Sequence, residues 1–214
     1  MAKHAASYTH QVPALFHSRS RLKIGLVGGS FNPAHEGHIH VALKARRALG
    51  LDQIWWLVTP QNPLKSSAGM ASLATRLAYA RDIASGYPFL RVLAPESALP
   101  KNYTYNTLIY IKKTMPLARL VWIMGADNLD QFSRWYRHKG LIRLLPIAVI
   151  DRPSYSLRAI ASGRWLLGRR YQVGEMRRAI TTRHLKLPGW CFIAGKRHAA
   201  SATEIRQQAQ RANA

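Results

Sequence analysis

The sequence predicts an α/β fold in which a doubly wound parallel sheet carries helices on both faces, and three observations predict it. Short apolar runs alternate with amphipathic helical patterns from Leu22 onward. The stretches between successive runs are long enough for the right-handed helical crossovers that parallel neighbours need. Neither G-x-G-x-x-G after the first run nor G-x-x-x-x-G-K-[ST] anywhere is present, so this Rossmann-like sheet is neither the dinucleotide-cofactor nor the P-loop kind.

Leu22 to Val27 reads as the first strand, and Ile39, Ala42, Leu43 and Leu49 recur at helical spacing behind it. Gln53 to Val58 is a second buried strand, closed by Thr59-Pro60. The loop Pro60-Gln61-Asn62-Pro63-Leu64-Lys65 cannot be helical. It delivers Lys65 beyond the C-terminal end of the strand, where ligands collect in open parallel sheets. Ser72 opens a helix through Leu73, Arg76, Leu77, Ala80 and Ile83, stopped near Gly86-Tyr87-Pro88. Phe89 to Leu93 is strand three, and Leu108, Ile109, Ile111 and Lys112 mark a helix running toward Pro116. Leu120 to Met124, Ile147 to Ile150 and Trp190 to Ala194 complete six strands, and a last helix spans about Ala202 to Arg211.

Composition bounds the function. With 214 residues, 48% of them hydrophobic, the chain suits one sizeable domain. Residues 1–20 read as a flexible N-terminal arm and 21–214 as a single domain. No apolar run approaches membrane-spanning length. Cys191 is the lone cysteine, which excludes an intrachain disulfide or a multi-cysteine zinc site and points to a reducing, cytoplasmic setting. A net charge of +23 raises nucleic-acid binding as a rival from another class. The basic residues are spread along the chain, enriched from Arg158 to Lys186, and no dedicated nucleic-acid module accompanies them. That segment reads as a solvated basic insert.

Chemistry concentrates in Gly28-Gly29-Ser30-Phe31-Asn32-Pro33-Ala34-His35-Glu36-Gly37-His38. Here a strand hands over to a helix. Glycines let backbone come close to a phosphate, and a helix start offers unpaired N–H groups with partial positive charge. His35 and His38 are three residues apart, so both can face one ligand from the first turn. The alternative is that a Gly-rich turn and first-turn histidines merely cap the helix.

This run resembles the nucleotidyltransferase superfamily marked by His-x-Gly-His after the first strand. Ile123-Met124-Gly125-Ala126-Asp127-Asn128-Leu129, followed by Phe132 and Trp135-Tyr136, resembles the fourth-strand motif of the nicotinate-nucleotide adenylyltransferases within it. Tyr103-Thr104-Tyr105-Asn106-Thr107-Leu108 and Val149-Ile150-Asp151-Arg152-Pro153-Ser154-Tyr155 are similar to further motifs of that family, with Ser154 where glycine is usual. Ser201-Ala202-Thr203-Glu204-Ile205-Arg206 is similar to its C-terminal motif, departing at Ala200 and Ala202. Thr104 and Ser201 also suit helix caps.

The resemblance implies transfer of the adenylyl group of ATP to nicotinate mononucleotide, giving nicotinate adenine dinucleotide and pyrophosphate. It implies an ATP site of Gly28, Gly29, Ser30, Phe31, His35, His38, Gly125, Asp127, Ser201, Thr203 and Arg206. It implies a mononucleotide site of Asn32, Thr104, Asp127, Trp135, Tyr136 and Arg152. His35, His38, Lys65 and Arg206 are the candidates for aligning phosphates and neutralising their charge. Mg2+ is expected with ATP, held mainly by substrate and water, with no all-protein metal cage. Asp127 and Trp135-Tyr136 argue against phosphopantetheine as acceptor. The amidated nicotinamide mononucleotide stays open, as does the oligomeric state.

Overall fold

Both faces of every central strand carry apolar side chains, and this forces a layer of helices onto each side of the sheet. The computed structural model describes residues 21–60, 69–95, 103–152, 161–163 and 165–195. Its strands are β1 (Lys23–Gly29), β2 (Gln53–Val58), β3 (Leu90–Leu93), β4 (Arg119–Gly125), β5 (Ile147–Ile150), β6 (Arg169–Tyr171) and β7 (Gly189–Ile193). They form one sheet, ordered β3-β2-β1-β4-β5-β7-β6, with every pairing parallel. The helices are α1 (Glu36–Leu49), α2 (Leu73–Ala84), α3 (Thr104–Thr114), the short α4 (Leu129–Phe132), α5 (His138–Leu144) and α6 (Val173–Thr182).

Alternation along β2 sorts the core. Ile54, Trp56 and Val58 pack with Ile39 and Ala42 of α1, Leu77 and Ala80 of α2, and Met176 and Ile180 of α6. Trp55 and Leu57 turn to the other face and meet Leu108 and Ile111 of α3, Phe132 of α4 and Leu141 of α5. In β7, Cys191 and Ile193 join the first face while Trp190 and Phe192 join the second. Trp55, Trp56, Trp122 and Trp190 are fully buried, each worth roughly 1.5–3 kcal/mol of burial. Because the chain winds from β1 outward to β3 and then returns to β4, the order reverses between β1 and β4. Ligands in such sheets bind outside the carboxyl ends of the strands at that reversal.

Local signals place the helix ends. The Ser72 hydroxyl accepts from the Thr75 N–H at 3.1 Å at the head of α2. α1 stops at Gly50, whose φ of 63° is the left-handed conformation that favours glycine. Among the described residues no helix is long and apolar enough to cross a membrane.

The basic segment needs correction. β6 and α6 lie within it, and they are part of the sheet and of one helical layer rather than a solvated insert. The Arg170 guanidinium lies 5.8 Å from the centroid of the Trp190 ring and that of Arg169 4.9 Å from Tyr171. Arg183 donates to the Leu117 carbonyl at 2.6 Å. β6 is three residues, exposed at the first two, too short for periodicity to register. α6 did carry a signal: Gln172 and Glu175 form a capping box ahead of Met176 and Ile180. The N-terminal arm, the expected helix from Ala202 to Arg211, and Lys65, Ser201, Thr203 and Arg206 all lie outside the described residues.

Candidate active site

The turn leaving β1 and the head of α1 build one structure. His35 is the N-cap of α1, and its Nδ1 accepts from the Gly37 N–H at 3.1 Å. His38 Nδ1 in turn accepts from the His35 N–H at 3.2 Å. The capping alternative is therefore what the structure displays, because both imidazoles do cap the helix. Capping also fixes their chemistry: an Nδ1 that accepts assigns the proton of the neutral ring to Nε2, so each ring presents an N–H donor on its far edge. The ring centroids are 4.0 Å apart, with the ring planes at 52°. His35 is buried and His38 half-buried.

Phe31 braces the pair from below. Its ring is buried, 5.0 Å from Trp56 in a stacked arrangement and 4.8 Å from His38. Any part Phe31 takes in binding nucleotide is thus through its backbone. That backbone is unusual, since φ is +47° at a non-glycine residue, a conformation costing on the order of 1–3 kcal/mol. Asn32 ties the turn to the chain entering α2. Its amide donates to the Gly69 carbonyl at 3.1 Å and accepts from the Ala71 N–H at 3.2 Å. Gly28 has a packing reason to be glycine: a Cβ there would run into the Trp122 ring.

Beside this turn, β4 ends at Gly125, where a Cβ would collide with the Asp127 carboxylate and press on Arg152. Asp127 Oδ1 and Arg152 Nε pair at 3.6 Å across that gap. Both atoms are buried without a hydrogen-bond partner, although their side chains remain partly exposed. The acidic and basic residues expected at the nucleotide are therefore brought together.

A third cluster lies at the head of α3. Tyr103, not Thr104, is the N-cap, and its side chain makes no capping bond, so Thr104 is the first helical residue and not a cap. The Tyr103 ring stacks on Tyr136 at 4.4 Å, and Tyr105 meets Tyr136 edge-on at 6.4 Å. The Arg137 guanidinium lies 5.4 Å from the Tyr136 centroid and 5.6 Å from that of Tyr105. Trp135 takes the opposite side, half-buried 5.3 Å from Phe132 and 6.2 Å from Trp122. The expected Trp-Tyr pair thus divides into a core wall and an exposed ring.

Sequence reading missed Arg76 as more than a helix position, and it missed Arg137. Arg76 is 1% exposed, and burial lowers the pKa of its guanidinium. Arg137 sits in a left-handed conformation with φ of 51° just before α5. Burial raises the Cys191 thiol to about 12, which disfavours the thiolate that cysteine chemistry needs at neutral pH.

The chain is similar to known proteins along most of its length. The cytidylyltransferase-like family matches residues 26–208. A Parvibaculum lavamentivorans protein named "Probable nicotinate-nucleotide adenylyltransferase" is 46% identical over 187 residues, covering 87% of this chain and 92% of its own length. A protein of the same name from Agrobacterium fabrum is 44% identical over 183 residues, covering 86% of this chain and 97% of its own. A Plasmodium falciparum nicotinic acid mononucleotide adenylyltransferase complexed with NaAD shares the fold, with a TM-score of 0.66 at 17% identity over 87% of this chain and 83% of its own.

Proposed function

This chain belongs to the cytidylyltransferase-like family, among the nicotinate-nucleotide adenylyltransferases, and we propose that it joins nicotinate mononucleotide to the adenylyl group of ATP. The observation that carries the reading is the imidazole pair at the head of α1, its rings 4.0 Å apart with both Nδ1 atoms committed to the helix. Two imidazoles this close, each carrying the proton of its neutral ring on Nε2, suit adjacent phosphate oxygens.

In the reaction a phosphate oxygen of the mononucleotide bonds to the α-phosphorus of ATP while the α–β bridging bond breaks and pyrophosphate leaves. The attacking phosphate is already anionic near neutral pH, so no protein base or nucleophile is required. The chain's work is alignment and charge neutralisation. His35 and His38 donate to phosphate oxygens whose charge grows as the bond breaks. Lys65, Arg206, Ser201 and Thr203 extend the same role in this reading. Asp127 and Arg152 hold ribose and phosphate of the two nucleotides beside Gly125. Mg2+ carried by the ATP substrate would supply charge shielding for the leaving pyrophosphate and would be held mainly by substrate and water.

Tyr136 and Thr104 form the wall for the pyridine ring, with Trp135 behind. Arg137, a cation over the Tyr105 and Tyr136 rings, favours the acid over the amide. The buried free thiol of Cys191 fits a cytoplasmic enzyme.

The test is pyrophosphate release from ATP and Mg2+ with each mononucleotide in turn. Faster turnover with nicotinate mononucleotide is the expected result. Preference for the nicotinamide form, or no release with either, would overturn the assignment.

A further inference from the structure

We propose that Arg76 is a positioning residue for phosphate transfer, setting the orientation of the Ser30–Phe31 peptide without touching substrate. Its guanidinium is the meeting point of three loops. Nη1 donates to the Ser30 carbonyl and to the Thr59 carbonyl, both at 2.7 Å. Nη2 donates to the Pro60 carbonyl at 2.6 Å, and Nε to the Ala71 carbonyl at 3.0 Å. The turn after β1, the exit of β2 and the entry to α2 are thereby fastened to one buried side chain.

The geometry gives the consequence. A trans peptide points its C=O and its following N–H to opposite sides, and the 30–31 bond is trans. Holding the Ser30 carbonyl against Arg76 therefore aims the Phe31 N–H away from it. Phe31 has its strained φ of +47° on the other side of that same peptide. Left unfastened, the turn would relax toward an ordinary conformation and carry the amide with it. The planar fork also prevents four carbonyl oxygens, all partially negative, from facing one another without a donor between them. Lysine cannot substitute, since its ammonium donates from a single point and cannot span four acceptors set around a plane.

This rests on the reading that the turn from Gly28 to Asn32 meets the nucleotide phosphates. Activity of the parent enzyme with nicotinate mononucleotide tests that reading independently. With an active parent, Arg76→Lys should lower kcat at least about tenfold and leave the Tm within about 5 °C, because the charge and most of the packing survive while the fork does not. Arg76→Ala should lose on the order of a hundredfold in kcat and regain at least about fivefold in about 20 mM ethylguanidinium but not in ethylammonium, whose shape lacks the fork. Parent-like kcat in Arg76→Lys would overturn the proposal. So would a folded Arg76→Ala that ethylguanidinium fails to restore. If Arg76→Ala does not fold, Arg76→Lys decides: a kcat loss no greater than the loss of folded protein makes the residue merely structural.

Discussion

The heads of α1 and α3 both open toward the carboxyl edge of the sheet, yet they are held by different forces. At α1 two imidazoles cap the helix by directional hydrogen bonds of 3.1 and 3.2 Å, over a turn fastened by Arg76 from beneath. At α3 the N-cap Tyr103 makes no side-chain capping bond, and order comes from rings, Tyr103 stacked on Tyr136 with Arg137 above. Hydrogen bonds to buried atoms have narrow wells; stacked rings slide at little cost. On the proposed reading, the end where bonds are made and broken is the one held by directional bonds, and the end assigned to the flat ring is the one held by stacking. Exposure follows the same division: His35 is 7% exposed and Tyr136 41%.

That contrast can be broken most forcefully at α1. His38→Ala removes one Nε2–H donor and the acceptor for the His35 N–H, so kcat should fall about 10²- to 10³-fold, as for loss of one preorganised donor. The Michaelis constant for the mononucleotide should change much less, because the lost contact strengthens as charge develops. Unchanged turnover in steady-state kinetics would reduce the imidazole to a cap.

A smaller effect is expected at α3. Tyr136→Ala deletes a stacked ring worth about 0.5–1.5 kcal/mol. The Michaelis constant for the pyridine substrate should rise about two- to tenfold with kcat little altered. A defect confined to ATP would move the ring out of the pyridine site and dissolve the contrast.

The least effect belongs to the head of α6, which holds none of the residues assigned to either cluster. Glu175 accepts from the Gln172 N–H at 2.8 Å to open α6, and Glu175→Ala should cost about 0.5–1 kcal/mol, seen as a fall in Tm with kcat intact. A loss of turnover there would mean that caps in general, not imidazoles in particular, control the rate.

How much of this was legible in the chain follows from the range of each signal. Long apolar runs such as Ile54-Trp55-Trp56-Leu57-Val58 announced buried strands, and the glycines, Asn-Pro and two histidines between Gly28 and His38 marked the strand-to-helix turn before any fold was known. β6 was not legible, since three residues with only Tyr171 buried carry no period. Thr104 looked like a cap because its type is right, but Tyr103 has the extended backbone that defines the N-cap. Arg76 gave no local sign at all.

The sequence by itself determined the alternating α/β order, the turn after β1 and the residue types proposed to meet phosphate, because each is written in near neighbours. Only the tertiary structure decided that Arg76 reaches Ser30, 46 residues away, that Asp127 finds Arg152, and that Trp135 turns inward while Tyr136 stays out. Those contacts join residues remote along the chain. They exist only once β2, β1, β4 and β5 lie side by side and their ends share an edge.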